Sequence, residues 1–591
     1  MSPRLLMREL IMLNDNEKFT VADYLLTRLK QLGLDKVFQV PGDYVAEFMN
    51  ALEKFDGIEA IGDVNELGAG YAADGYARLK GIGAISVQYG VGTMSALNAV
   101  AGSYVERNPV VVITASPTTE NRVTIAQTGV LFHHSTGNLN TDRNIFANVT
   151  VAAEILSNKD DALQQIDQAL IAAITHRRPI YLEAYQNVWG EECPVPQGQL
   201  SPQIVPSQAD SLKAMLSVAL ERLNKAQRPV ILLGVEIARF GLQSEVRELL
   251  ECSGLPYTTT TLGKTVISEE FGRFIGTYAD GASIPATDEY VTKADCILAL
   301  GTILTDDYLN MLENQFEQMI VVDVESARIG YQHYQNIQLA EFISTLNQNI
   351  SKACQYPRQD IALPLLPARR PIDPTSLKES LDYQHFFDIF YDHLIEFNLR
   401  DSTHLILGES SSLYQAARLT GLPQDSFIAN AAWGSLGHET GCAAGVSYAS
   451  DKRAMVVAGD GGFMMMCQAL STIQRYQRNA VVFVMSNEVY AIEQSFVDIC
   501  AFTPDGNFAP FDELPTWQYQ ELAQAYGMQG YKAKTGQELW NILSDINSHP
   551  EQPALVEVVI PKHDLAPAMA GLVESITGNT VEQCKEGCKP K

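Results

Sequence analysis

The sequence predicts an α/β protein made of three consecutive open parallel-sheet α/β domains, and three observations carry that prediction. Short β-branched runs alternate with helix-patterned segments, the arrangement that builds parallel sheets covered by helices. Two proline-rich stretches interrupt the alternation and divide it into three blocks. At 591 residues the chain is also too long for one hydrophobic core.

The first block, 18–192, opens with the helical pattern "TVADYLLTRLKQLGL" and continues through the strand candidates "AISVQYG", "PVVVITAS" and "RPIYLEA". The stretch "CPVPQGQLSPQIVPSQAD" (193–210) reads as a linker. The second block, 211–350, begins with helix, then "RPVILLGVEI", a helix from about residue 241, "ADCILALGTIL" and "QMIVVDVES". After the proline-rich "ALPLLPARRPIDPTS", the third block, 376–565, carries "THLILGES", "AMVVAGDGG", "AVVFVMSN" and "PALVEVVI". Each of these is a short apolar run bounded by turn formers, as a buried parallel strand requires.

Composition narrows the function class. Apolar content of 46% with 19% charge suits a large globular enzyme rather than a disordered chain. A net charge of −28, with no stripe of Lys and Arg, argues against a nucleic-acid or anionic-membrane partner. The first twenty residues interrupt their apolar pattern at Arg8 and Glu9, and no run of 18 apolar residues occurs; a cytoplasmic location is the expectation. The nine cysteines are scattered and odd in number, which reads as reduced thiols, with Cys584 and Cys588 in a frayed, charged tail.

The richest chemistry lies in "VVAGDGGFMMMCQALSTIQRYQRNAVVFVMSNEVYAIEQ". An apolar strand runs into Gly459, Asp460, Gly461 and Gly462, then a helix, then a second strand ending at Asn487. Both polar residues are thereby expected at the C-terminal ends of parallel strands, where open α/β sheets bind ligands. Glycines allow close backbone approach to a phosphate, while the Asp460 carboxylate, the Asn487 amide and a neighbouring carbonyl offer the hard oxygens that suit Mg²⁺.

This spacing resembles the diphosphate-binding motif of thiamin diphosphate enzymes, with Ser486–Asn487 in place of an Asn pair and Val489 where a glycine is usual. The resemblance implies thiamin diphosphate and Mg²⁺ as cofactors, with Asp460, Asn487 and the backbone carbonyl of Val489 as metal ligands. It implies a catalytic glutamate in the first block, and "IGDVNELGAGYAADGYARLKG" supplies Glu66, whose carboxyl would promote the imino tautomer of the aminopyrimidine ring. The adjacent His133 and His134 in "VLFHHSTGN", Asp43 in "QVPGDYVAEF" and Glu493 in "YAIEQ" resemble the pyruvate and indolepyruvate decarboxylase branch. Two acids and two imidazoles are what proton delivery after CO₂ loss requires. "NAAWGSLGHETGCAAG" resembles the segment whose bulky residue, here Leu436 after Gly434, bends the cofactor, and "LGESSSLYQ" places Ser410 and Ser411 beside the pyrimidine. Tyr414, Ile492 and Phe496 match residues lining the substrate pocket.

The resemblance covers roughly residues 18–565 and implies a pyrimidine-binding, a central and a diphosphate-binding domain. The implied reaction is non-oxidative decarboxylation of a 2-oxo acid, pyruvate or a relative such as phenylpyruvate or indolepyruvate, through a thiamin diphosphate ylide. A homodimer at minimum, and by family habit a homotetramer, follows because the cofactor of such enzymes lies across a subunit interface. Two alternatives stand beside this reading: a carboligase of the acetolactate synthase type, and a cofactor-binding paralogue with impaired catalysis.

Overall fold

A computed structural model describes residues 18–353, 355–367, 371–373 and 375–585. It contains three sheets with interleaved helices. The first runs, in spatial order, Glu59–Gly62, Lys36–Gln39, Gly83–Ser86, Val110–Ser116, Ile180–Tyr185 and Ala152–Leu156, every neighbouring pair parallel. The third runs Phe427–Ala429, Thr403–Leu407, Arg453–Gly459, Ala480–Ser486, Ala554–Val559 and Gln529–Ala533, again all parallel. Central strands such as Val110–Ser116 and Ala480–Ser486 are buried along their whole length, which is why they read as unbroken apolar runs.

The middle sheet departs from the fully parallel expectation at one edge. Its order is Gln332–His333, Ala327–Ile329, Met319–Val322, Cys296–Leu300, Pro229–Leu233, Tyr257–Thr259 and Phe274–Thr277, and the first two pairings are antiparallel. Asp323 causes the reversal. Its Oδ1 accepts from the N–H groups of Glu325 (2.8 Å) and Ser326 (2.6 Å), closing a tight turn that sends the chain straight back along its own strand.

The described residues form two compact units, 18–204 with 444–450 and 205–443 with 451–585. Within the larger unit the middle and third sheets are tied by one fully buried ion pair. Lys264 Nζ lies 2.6 Å from Glu269 Oε1 and also donates to the Leu419 carbonyl at 2.7 Å, while Glu269 Oε2 accepts from Leu422 N at 3.0 Å. Burial lowers the Lys264 pKa and raises that of Glu269, each opposed by its partner.

Two cysteine expectations are overturned. Cys500 and Cys584 form a disulfide, and Cys584 sits in a short helix, Val581–Lys585, rather than in a frayed tail. The free thiols are Cys193, Cys252, Cys296, Cys442 and Cys467; Cys354 and Cys588 lie outside the described residues. The reading of the first seventeen residues also falls outside them. No helix among the described residues is long and apolar enough to cross a membrane.

Removing one partner of a buried pair leaves the other charge without compensation. Lys264→Ala should therefore cost about 3–5 kcal/mol in urea unfolding, whereas Lys264→Met with Glu269→Leu should cost far less. Equal losses in the single and double variants would show that packing, not charge, holds this junction.

Candidate active site

In the smaller unit, the candidate residues follow the C-terminal ends of the first sheet's strands. Asp43 comes after Lys36–Gln39 and Glu66 after Glu59–Gly62. Glu66 opens the helix Glu66–Lys80 because Asn65 caps it, its Oδ1 accepting from Leu67 N (2.9 Å) and Gly68 N (3.1 Å). The small residues of this helix admit a close neighbour: a Cβ at Gly70 would fall 2.7 Å from Ala99 Cβ in the helix Val91–Val105. Glu66 is half-buried, with Oε1 facing Gly92.

His133 and His134 occupy an irregular loop and both are exposed. His134 takes φ +66°, which turns the chain so that consecutive rings, 6.1 Å apart, are not sent to opposite faces as in a strand. The His134 ring meets Tyr89 edge-on at 5.9 Å and Tyr44 at 6.3 Å, and the Tyr89 hydroxyl donates to the His133 carbonyl.

One short segment, Gln88 to Gly92, backs all four residues. Gln88 Nε2 donates to Asp43 Oδ1 at 2.7 Å, Tyr89 packs on the histidines, Gly90 abuts the His134 carbonyl, and Gly92 faces Glu66. The segment is itself pinned by buried Asp142, whose Oδ2 accepts from Gly90 N (2.6 Å) and Thr93 Oγ1 (2.5 Å). Sequence reading missed Gln88, Tyr89 and Asp142; the two glycines two residues apart just after a strand were the available signal.

In the larger unit, Asp460 and Asn487 do meet at the strand ends. Gly459 pairs in register with Met485, so the next residues emerge side by side. Asp460 is buried; its Oδ2 accepts from Asn487 N (3.1 Å) and Glu488 N (2.7 Å), and its Oδ1 from Gly461 N (3.0 Å). Burial pushes this carboxyl up to about 6 against those three donors. No cationic side chain among the described residues pairs with it. Asn487 Nδ2 donates to the hydroxyl of buried Tyr383 at 3.2 Å, a partner that sequence reading missed, which turns its amide oxygen away from that tyrosine. The positive φ here, +61°, belongs to Glu488, so Val489 needs no glycine-like backbone.

The glycines form a tight cradle. A Cβ at Gly461 would collide with the Tyr490 ring, one at Gly462 would lie 3.1 Å from Glu439 Oε1 and 3.9 Å from Leu436, and one at Gly459 would lie 3.3 Å from Ser410 Cβ. Ser410 caps the helix Ser411–Ala417, accepting from Ser412 N at 3.3 Å. Gly434, at φ +66°, and Ser435 are held by Asn430, which accepts from Gly434 N through its carbonyl and from Ser435 N through its amide oxygen.

A buried carboxylate without a cation, an adjacent amide and a glycine-lined cradle form a donor set that fits a divalent ion and a diphosphate. Glu493 lies in the first turn of the helix Ala491–Val497. It is solvent-exposed, yet enough protein surrounds it to hold its carboxyl above the usual range. Ile492 and Phe496, four residues apart, share a face of that helix; Ile492 joins the apolar core that contains buried Tyr414, while Phe496 is exposed. The Tyr414 hydroxyl is 3.1 Å from Glu409 and 3.4 Å from Asp307, an acidic pair that sequence reading also missed.

The left-handed backbone at Gly90 and its contact with the His134 carbonyl yield a direct test. Gly90→Ala should displace the histidine loop and lower turnover by about 10²-fold while cofactor affinity stays within threefold, read by steady-state kinetics and calorimetry. Unchanged turnover would separate this loop from the chemistry.

Three family models match: the thiamine pyrophosphate enzyme N-terminal TPP-binding domain over residues 19–140, its central domain over 216–349, and its C-terminal TPP-binding domain over 409–558. The chain is 30% identical to a pyruvate decarboxylase of Aspergillus fumigatus, covering 93% of this chain and 95% of that protein. It is 28% identical to an alpha-keto-acid decarboxylase of Mycolicibacterium paratuberculosis (94% and 96%) and 26% identical to pyruvate decarboxylase isozyme 1 of Saccharomyces cerevisiae (93% and 96%). The chain therefore belongs to the thiamine pyrophosphate (thiamin diphosphate) enzyme family, alongside the pyruvate and alpha-keto-acid decarboxylases.

Proposed function

We propose that the protein is a non-oxidative 2-oxo acid decarboxylase that binds thiamin diphosphate with Mg²⁺, releases CO₂ and an aldehyde, and favours pyruvate or another short aliphatic acid. The observation that carries this reading is the Asp460 carboxyl, gathered by three backbone N–H groups at the ends of two parallel strands. In this reading residues 18–192 bind the pyrimidine, 211–350 form the central domain and 376–565 hold the diphosphate. The working species is a homodimer at minimum, with a homotetramer expected; sedimentation of an active monomer would contradict it.

Thiamin diphosphate, when bound, supplies the electron sink for loss of CO₂. The protein's part is binding, orientation and proton movement. Asp460, Asn487 and the Val489 carbonyl hold the metal; Gly459, Gly461 and Gly462 let the backbone approach the diphosphate; Ser410, Ser411, Gly434 and Leu436 shape the cofactor's seat. Glu66 holds a proton at the pyrimidine ring. Asp43, His133, His134 and Glu493 orient the substrate carboxylate and carry protons, and this delivery favours decarboxylation over carboligation, where the proton must be kept out. The negative φ at Val489 means that valine replaces the usual glycine without backbone strain, which favours a working site over the impaired paralogue.

Ile492 and Phe496 narrow the pocket that Tyr414 backs, so the preference should be graded: one methylene in such a space is worth only about 1–3 kcal/mol. Release of CO₂ from a panel of 2-oxo acids, with the aldehyde identified, tests this. Pyruvate should lead phenylpyruvate and indolepyruvate in kcat/KM, and Phe496→Ala should move the ratio toward the aromatic acids. A native preference for indolepyruvate of about tenfold, or roughly 1.4 kcal/mol, would reject the pocket assignment and leave the reaction class standing.

The metal assignment has its own measurement. Asp460→Asn keeps the shape of the side chain but removes the charge, so Mg²⁺-dependent retention of thiamin diphosphate on dialysis should fall at least about 10²-fold. Wild-type retention in that variant would move the metal elsewhere.

A further inference from the structure

The disulfide joins two segments 84 residues apart in the chain, and both ends lie beside the candidate site. Cys500 belongs to the turn Ile499–Phe502, which follows directly on the helix Ala491–Val497 that displays Glu493 and Phe496. Asp498 links that turn to the helix: its N–H donates to the Gln494 carbonyl (2.8 Å), its carbonyl accepts from Gln494 Nε2 (3.1 Å), and its Oδ1 accepts from Cys500 N (2.9 Å). Cys584 lies on the terminal helix Val581–Lys585, whose Val581 packs on the small apolar cluster of Val489, Ala491 and Phe502. The tether therefore holds residues 581–585 against the apolar cluster that includes Val489, the residue proposed to give the metal its carbonyl ligand.

Apart from the disulfide and the apolar contacts of Val581 and Cys584, little holds that helix. The helix has five residues, none of them buried, too few to be stable by themselves. No ion pair among the described residues involves Glu582 or Lys585, and the side-chain hydrogen bonds of Gln583 stay within Gly578–Gln583. Both sulfurs belong to half-buried residues, and a cavity of about 780 Å³ opens beside them, lined by Ile499, Phe502, Arg418, Val581, Glu582 and Lys585. Neither cysteine lines that cavity, but neither is buried, so a small reductant has a route to the bond.

We propose that Cys500–Cys584 is a reversible thiol–disulfide modification site that sets how firmly the 489–497 segment is held. The consequence for cofactor retention rests on the function proposed above; the exchange itself does not. A dithiol reductant supplies the two electrons. One of its thiolates attacks a sulfur of the pair, the S–S bond breaks and a mixed disulfide forms; its second thiolate then displaces that sulfur. Cys500 and Cys584 each take up a proton, and the reductant departs as its own disulfide. The helix Val581–Lys585 is then left with the apolar contacts of Val581 and Cys584, and the cover over Val489 and Ala491 loosens.

The full chain can be tested without turnover. Thiols are alkylated before and after treatment with dithiothreitol and mapped by peptide mass spectrometry, with hydrogen exchange measured over residues 489–502. Untreated protein should leave both cysteines unlabelled. After reduction both should label, exchange in 489–502 should rise several-fold, and thiamin diphosphate should leave several-fold faster on dialysis, each effect reversing on reoxidation. Cys584→Ser should match reduced protein with and without dithiothreitol. Free thiols at both positions in untreated protein, or exchange in 489–502 that ignores reduction, would overturn the proposal. Protein that binds no cofactor yet still shows the redox-dependent exchange would sink the functional reading and leave this one intact.

Discussion

The parallel ladder between Arg453–Gly459 and Ala480–Ser486 sets what the larger unit can do. Its register brings both strands to an end together, and the two chain exits then share one carboxylate, that of Asp460. Parallel connection places the loops that follow such strands on one edge, so polar groups far apart in sequence become neighbours with no loop of unusual length. The smaller unit repeats the rule: Asp43, Glu66 and Gln88 each follow the end of a strand, and the glycine-spaced segment from Gln88 to Gly92 collects their side chains.

Much of this was legible in the residues. The apolar runs became strands within a few residues of where they were read, because a strand buried on both faces leaves an unbroken signature. The Gly-Asp-Gly run and Asn487 were legible because a helical stretch and a strand separate them; the structure divides that stretch, read as one helix, into Asp460–Met466 and Ala469–Arg475. The residues that orient them were not. Tyr383 reaches Asn487 across 104 positions, and Asp307 meets Tyr414 across 107. Such contacts are made by packing, and no local period announces them. The cysteine pairing failed for the same reason: spacing carries no information about which thiols meet, and an odd count spread through apolar runs looks reduced. The antiparallel edge of the middle sheet was missed because "VVDVESARIG" reads as a strand and its continuation, and only the Asp323 turn shows the reversal.

The electrostatics of the larger unit are lopsided in a useful way. Lys264 and Glu269 answer each other, as buried charges must. Among the described residues no cation pairs with Asp460, Glu439 or Asp307, and burial raises their carboxyls to about 6, 7 and 6. Tyr414 offers a single phenolic proton to both Asp307 and Glu409, and burial together with the neighbouring Asp306 carboxylate raises the Asp307 carboxyl. Asp460 and Glu439, buried beside the strand ends of the third sheet, leave that edge in want of cations and protons, the two things its proposed chemistry handles.

The hairpin that ends the middle sheet has a bearing on colloidal behaviour. An open sheet presents a row of unsatisfied amides at its rim, on which a neighbouring molecule can template another strand. Here the rim is Gln332–His333, only two residues long, polar and exposed on both. So short a strand offers too few backbone groups for a second chain to add on, and the turn at Asp323 thereby blunts that edge of the middle sheet against edge-to-edge aggregation.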